Sequence, residues 1–223
     1  MPRIKHLLFD NDGTIVDSEI IAVRSMLRML ATHGLHLSER EYCRKFPGLT
    51  LRDIIETLAK DYGVVLPETF WAESRAEHIR LFNLELRAVP GMYSLFRRLN
   101  TPKSMVSNGS VRHVERSLRK VRLFHALNGH IFSAEHVTRP KPFPDVYLHA
   151  LKVLGIRASE VLVVEDSPVG VRAAKQAGMH VIGFLGATHT YEGQADELRA
   201  EGADWIAPNA TALREVLHKC GVE

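Results

Sequence analysis

Ile4-Lys5-His6-Leu7-Leu8-Phe9-Asp10-Asn11-Asp12-Gly13-Thr14 is the stretch on which the fold of this chain turns. The apolar run from Ile4 to Phe9 predicts a short, fully buried strand. Two carboxylates, Asp10 and Asp12, follow at its C-terminal end, where open α/β sheets bind ligands. Gly13 then lets the chain turn without a Cβ penalty. Carboxylates this close repel each other, so such pairs usually share a cation or divide acid and base roles. Taken alone, the same residues suit a solvated Asx-type turn equally well.

Working outward, three later segments tip the balance. Met105-Val106-Ser107-Asn108-Gly109 sets a hydroxyl and an amide at the end of a second apolar run. Arg139-Pro140-Lys141-Pro142 holds a lysine between two prolines that stiffen the backbone. Val161-Leu162-Val163-Val164-Glu165-Asp166-Ser167 ends a third buried strand in adjacent acids. In this order the segments offer a nucleophile pair, a donor to phosphate oxygens, a fixed cation and a second group of metal carboxylates.

With these four motifs in hand, the chain resembles the haloacid dehalogenase superfamily, in its phosphatase and phosphomutase branch (β-phosphoglucomutase-like) with a helical cap after the first motif. The flanking text "FDNDGTIVDSE", "VSNG" and "EDSPVGVRAAKQAGM" looks closest to small-metabolite phosphatases, including the 6-phosphogluconate phosphatase type. The likeness covers nearly the whole chain.

Apolar and charged fractions are those of an ordinary soluble globular protein. The 223 residues allow one full α/β domain plus a small second one. The formal net charge is only +3 and there is no long Lys/Arg run, which argues against a nucleic-acid partner but suits a local basic lining for an anionic substrate. Cys43 and Cys220 are far apart and in no metal-ligand spacing, as expected in a reducing cytoplasmic setting. No apolar stretch is long enough for a membrane span, and the short N-terminal run is expected to be a core strand, not a signal peptide. A monomer is expected.

From about Asp17 to Arg87 the pattern is wholly helical. Ile20, Val23, Leu27 and Leu30 recur at helical spacing before Gly34, and Ser38 with Glu41 forms a capping box for the next helix. Leu51–Tyr62 and Phe70–Leu86 read as two more amphipathic helices. After Pro90-Gly91, helix and strand alternate to the end of the chain, which argues for a parallel sheet with helices on both faces. The expected architecture is therefore α/β: a Rossmann-like core of residues 1–16 and 88–223, with residues 17–87 as a helical cap inserted after strand 1. So placed, the cap could close over the site as a lid.

The resemblance implies phosphoryl transfer to a carboxylate. Asp10 is the nucleophile and Asp12 the general acid and base, which requires a raised pKa at Asp12. It also implies metal ligation by Asp10, the Asp12 carbonyl and Asp166, with Glu165 as an outer partner or direct ligand. An all-oxygen set facing a phosphate favours Mg2+. Lys141, Ser107 and the amides around Asn108-Gly109 are expected to bind phosphoryl oxygens, and Thr14 to support the loop. The substrate is then a small phosphorylated metabolite, a sugar phosphate or sugar-acid phosphate.

Other activities fit less well. Dehalogenases need neither a metal nor an acid at position 12. Phosphonatases carry an imine-forming lysine early in the cap, and residues 18–43 contain none. Hexose-phosphate mutases carry an early cap histidine and an arginine just after the cap glycine. Here Ser18-Glu19-Ile20-Ile21 lacks the histidine, and in Gly48-Leu49-Thr50-Leu51-Arg52 the arginine comes one place late, so a mutase is the runner-up. Receiver domains, the non-enzymatic alternative, are shorter and order their acids and lysine differently. Gly48, Thr50 and Arg52, with Arg44 and Lys45 nearby, form a candidate rim for a second anionic group of the substrate, or alternatively an ordinary solvated helix end. Trp71 and Phe70 suit a cap core better than a substrate platform.

Overall fold

All residues of β1 (His6–Phe9) are buried, as an apolar run with parallel neighbours on both sides requires. The structure is a computed structural model that describes residues 3–46 and 51–222, apart from the side chains at 43, 44, 51 and 52. The other strands are β2 (Lys103–Ser107), β3 (Ile131–Ser133), β4 (Val161–Glu165), β5 (His180–Phe184) and β6 (Trp205–Ala207). They form one parallel sheet in the order β3-β2-β1-β4-β5-β6. The order reverses between β1 and β4, so the crevice of this Rossmann-like sheet opens at their C-terminal ends.

Register decides what meets there. Phe9 lies opposite Met105 on one side and Val164 on the other. Asp10, Ser107 and Glu165 therefore emerge at one edge of three adjacent strands.

Ten helices accompany the sheet among the described residues. Those of the insert are α1 (Glu19–Thr32), α2 (Glu39–Lys45), α3 (Leu51–Tyr62) and α4 (Phe70–Glu85). Then follow α5 (Met92–Arg98), α6 (Val111–Lys120), α7 (Asp145–Leu154), α8 (Pro168–Gln176), α9 (Gln194–Ala200) and α10 (Ala210–Lys219). Neighbouring residues of a strand face opposite sides of the sheet. Leu8, Val106, Val163 and Val181 accordingly pack with Val146 and Ala150 of α7, Val171 and Ala174 of α8 and Leu198 of α9. Phe9 points the other way and meets Phe96 of α5 edge to face, with ring centroids 5.3 Å apart. Each fully buried side chain of this size stabilises the fold by about 1.5–3 kcal/mol.

The chain divides into two compact units, Met1–Asp17 with Arg87–Glu223 and, between them, Ser18–Leu86. The second has its own small core, in which Leu30, Leu35, Phe46, Leu58 and Phe70 are buried and Trp71 is partly buried against them. The Ser38–Glu41 capping box forms, with the Ser38 N–H donating to Glu41 Oε2 and the Glu41 N–H to Ser38 Oγ. Among the described residues, no helix is long and apolar enough to cross a membrane.

Candidate active site

A buried lysine organises the crevice. Lys141, only 6% exposed, donates to Asp10 Oδ1 at 2.7 Å, Glu165 Oε1 at 2.5 Å and the Val106 carbonyl at 2.9 Å. All three protons of the ammonium are thus directed, which fixes a point charge where three strands end. The lysine reaches this place because its backbone is clamped. Asn108 Oδ1 accepts the Lys141 N–H at 3.0 Å, and Asn108 Nδ2 donates to the Lys141 carbonyl at 3.2 Å. The Asn108 side chain therefore ties the loop after β2 to the lysine loop. Ser107 is buried, and its Oγ accepts the Gly109 N–H at 2.9 Å.

Glu165 is fully buried and both its oxygens are engaged. Oε1 accepts from Lys141 and, at 3.2 Å, from the Tyr147 hydroxyl; Oε2 accepts from the Ser167 N–H at 3.2 Å and its Oγ at 3.0 Å. Gly170 makes room for it, because a Cβ there would lie 1.8 Å from Glu165 Oε1. Gly13 plays the same part for Asp166: at φ +78° it turns the first loop so closely that a Cβ would lie 2.0 Å from Asp166 Oδ2.

Asp166 accepts from Thr14 Oγ1 at 3.2 Å and lies 3.3 Å from His189 Nε2, while its carbonyl accepts from Gln194 Nε2 at 2.8 Å. Thr14 thus supports the loop. Asp12 turns its carboxylate elsewhere, with Oδ1 and Oδ2 at 2.9 and 3.1 Å from His113 Nε2.

Asp10, Glu165 and Asp166, all buried, can each place an oxygen within 4.8 Å of the others. Burial pushes the Asp10 carboxyl well above its usual range; Lys141 opposes this, and Glu165, Asp166 and Asp12 add to it. Burial likewise raises Asp166, against the hydrogen bond from His189, and Glu165 raises it further. Burial pulls Lys141 down, but Asp10 and Glu165 outweigh it and hold the ammonium well above its usual range. Lys141 brings one positive charge to three carboxylates. The all-oxygen donor set and the surplus negative charge fit a hard divalent cation.

Sequence patterns gave no sign of His113, Tyr147 or His189. Tyr147 lies on the buried face of α7, where it reads as apolar core. His113 and His189 stand outside every motif. Of the expected rim, Gly48 and Thr50 lie outside the described residues, and Arg52 falls in α3 with no side chain described. Lys45 is paired within the insert, 2.8 Å from Asp61 Oδ2 and 4.4 Å from the centre of the Tyr62 ring.

The family model described as haloacid dehalogenase-like hydrolase matches residues 7–184. The chain is 35% identical over 191 residues to 6-phosphogluconate phosphatase of Escherichia coli K12, covering 85% of this chain and 86% of that one. It is 35% identical over 185 residues to hexitol phosphatase A of the same organism, covering 81% and 82%. The crystal structure of a HAD family hydrolase from Deinococcus radiodurans, with bound phosphate and sodium, superposes with a TM-score of 0.89 at 29% identity, covering 99% of this chain and 98% of that one.

Proposed function

The chain belongs to the haloacid dehalogenase-like hydrolase family and is a phosphatase, and on that premise we propose that it hydrolyses a small sugar phosphate or sugar-acid phosphate with Mg2+, through an aspartyl-phosphate on Asp10. The observation that carries this is the placement of Asp10 at the β1/β4 crevice, 2.7 Å from a buried lysine and within one cluster with Glu165 and Asp166. Two relatives of equal identity, named for 6-phosphogluconate and for hexitols, support the substrate class.

In the first half-reaction an Asp10 oxygen attacks phosphorus in line. The bond to the leaving oxygen breaks, and that oxygen takes a proton from Asp12. In the second, water attacks phosphorus and gives a proton to Asp12. The acyl phosphate bond breaks, inorganic phosphate leaves and Asp10 is regenerated. Lys141 holds Asp10 and opposes the charge that builds on the phosphoryl oxygens. Ser107 and the amides beside it bind the remaining oxygens. Asp10, Asp166 and the Asp12 carbonyl would hold Mg2+, which supplies further charge neutralisation when bound. Glu165 acts chiefly as the partner of Lys141, since its oxygens already accept four hydrogen bonds.

The test is phosphate release from a panel of phosphorylated metabolites, 6-phosphogluconate and hexitol phosphates first, with and without Mg2+. Release that is lost on chelation and falls by roughly 10⁴-fold or more in Asp10→Asn is the expected result. No release from any monophosphate, with isomer conversion once a trace of bisphosphate is added, would replace the hydrolase by a mutase.

A further inference from the structure

The acid–base role proposed for Asp12 makes a demand on the direction of its side chain. One carboxylate must face the leaving oxygen and later the attacking water. The Gly13 N–H donates to the Val16 carbonyl at 2.8 Å and fixes the backbone; the direction of the carboxylate is a matter of side-chain contacts. The Asp12 side chain is also the most exposed of the acids at the site, at 23% against 11% for Asp10, 7% for Asp166 and 0% for Glu165.

His113 meets the demand. Its Nε2 lies 2.9 and 3.1 Å from the two Asp12 oxygens, so one ring nitrogen spans the whole carboxylate and opposes its rotation. The histidine is itself held firmly. It stands in the first turn of α6, where its backbone N–H donates to Ser110 Oγ at 3.1 Å. The start of that helix is anchored by the Val111 N–H, which donates to Glu135 Oε2 at 2.8 Å. The ring lies against Gly109, where a Cβ would stand 3.0 Å from His113 Cδ2 and 3.2 Å from Ser107 Oγ. A glycine at 109 thus gives the imidazole its path to Asp12, and the loop that bears Ser107 also carries the group that orients the acid.

We propose that His113 is a positioning residue that holds the Asp12 carboxylate in line for both proton transfers, an inference that rests on the acid–base function of Asp12. It takes no part in bond making. Its loss lets Asp12 rotate, and misplacement of this kind costs on the order of 10- to 100-fold in rate.

p-Nitrophenyl phosphate separates this role from a merely structural one. Its phenolate leaves without needing a proton, so the first half-reaction bypasses Asp12, whereas water attack in the second still requires it. In rapid-mixing experiments at saturating Mg2+, His113→Ala is expected to release the first p-nitrophenolate within about 2-fold of the wild-type rate. Steady-state turnover then falls by about 10- to 100-fold, which gives a burst of about one equivalent per site. With an alkyl phosphate, which needs protonation, the same variant loses the first turnover as well. His113→Gln, whose amide can donate from a similar reach, is expected to recover part of the rate, and it stands in should the alanine variant fold poorly.

Equal slowing of first and later turnovers, or no slowing at all, would overturn the proposal. Asp12→Asn run alongside tells the two failures apart. If it shows the burst and neither His113 variant does, the positioning inference fails alone; if it turns over like wild type, the acid–base role of Asp12 falls and takes the inference with it.

Discussion

Charge is handled in opposite ways at the crevice of the α/β unit and in the insert. At the crevice of the α/β unit, the side chains of Lys141 and Glu165 are 3% and 0% exposed. In Ser18–Leu86, the cations of the described ion pairs reach water: Arg24, Arg28, Lys45 and Arg80 are 38–52% exposed. Buried charges are costly to desolvate and persist only with good partners, so the crevice keeps a constellation that stability alone would not favour. Exposed pairs contribute little and are free to change. The lesson is a difference in tolerance: the crevice holds charges that cannot be altered cheaply, and the insert holds ion pairs that can change at small cost to the fold.

The largest effect is expected at the lysine. Lys141→Met leaves Asp10 and Glu165 buried without their cation, and should lower unfolding free energy by about 3–5 kcal/mol in urea titration. A loss under about 1 kcal/mol would break the comparison. Next comes Gly170→Ala. Its methyl would sit 1.8 Å from Glu165 Oε1 and must push that carboxylate from its seat, at about 1–3 kcal/mol, read as a lower thermal midpoint together with weaker turnover.

His6 sharpens the comparison at the other end of β1. Burial first, and His130 second, lower its pKa from the ordinary 6.5 to about 4. Above pH 6.5 neither folded nor unfolded chain protonates it. As pH falls towards 4 the unfolded chain takes up a proton that the folded chain refuses, so stability declines across that window. In urea unfolding between pH 7 and 5, the wild type should lose more than His6→Gln, whose amide cannot titrate. The smallest effect is expected in the insert. Arg28 bridges Glu77 and Glu85 from a half-exposed position, and Arg28→Ala should shift stability by less than about 1 kcal/mol; a shift as large as that of Lys141→Met would erase the distinction.

What the sequence made legible followed from period and order. The apolar runs ending at Phe9, Ser107 and Glu165 became adjacent parallel strands, because a residue buried on both faces leaves an unbroken run. The capping box at Ser38 formed because its signal is local. β6 went unread: Trp205–Ala207 is only three residues long, between Asp204 and Pro208, too short to show alternation. The side-chain clamp of Asn108 on the lysine loop was not legible either, because it is a long-range pairing that composition does not encode. His113 escaped for the same reason: a histidine in a first helical turn has no spacing that marks it, and only the approach of α6 to the first loop gives it a partner.

The Asn108–Lys141 clamp also bears on how this chain can diverge. Its partners are 33 positions apart in sequence, yet two hydrogen bonds register the lysine against the end of β2. The excursion between them, which includes α6 and β3, does not have to measure out that distance. Length changes in its outer turns can accumulate over generations while the ammonium stays in place, much as a clasp keeps two ends of a necklace together whatever beads are added. Substituting Asn108 removes one fastening of the lysine loop and leaves the ammonium's bonds to Asp10, Glu165 and the Val106 carbonyl to hold it.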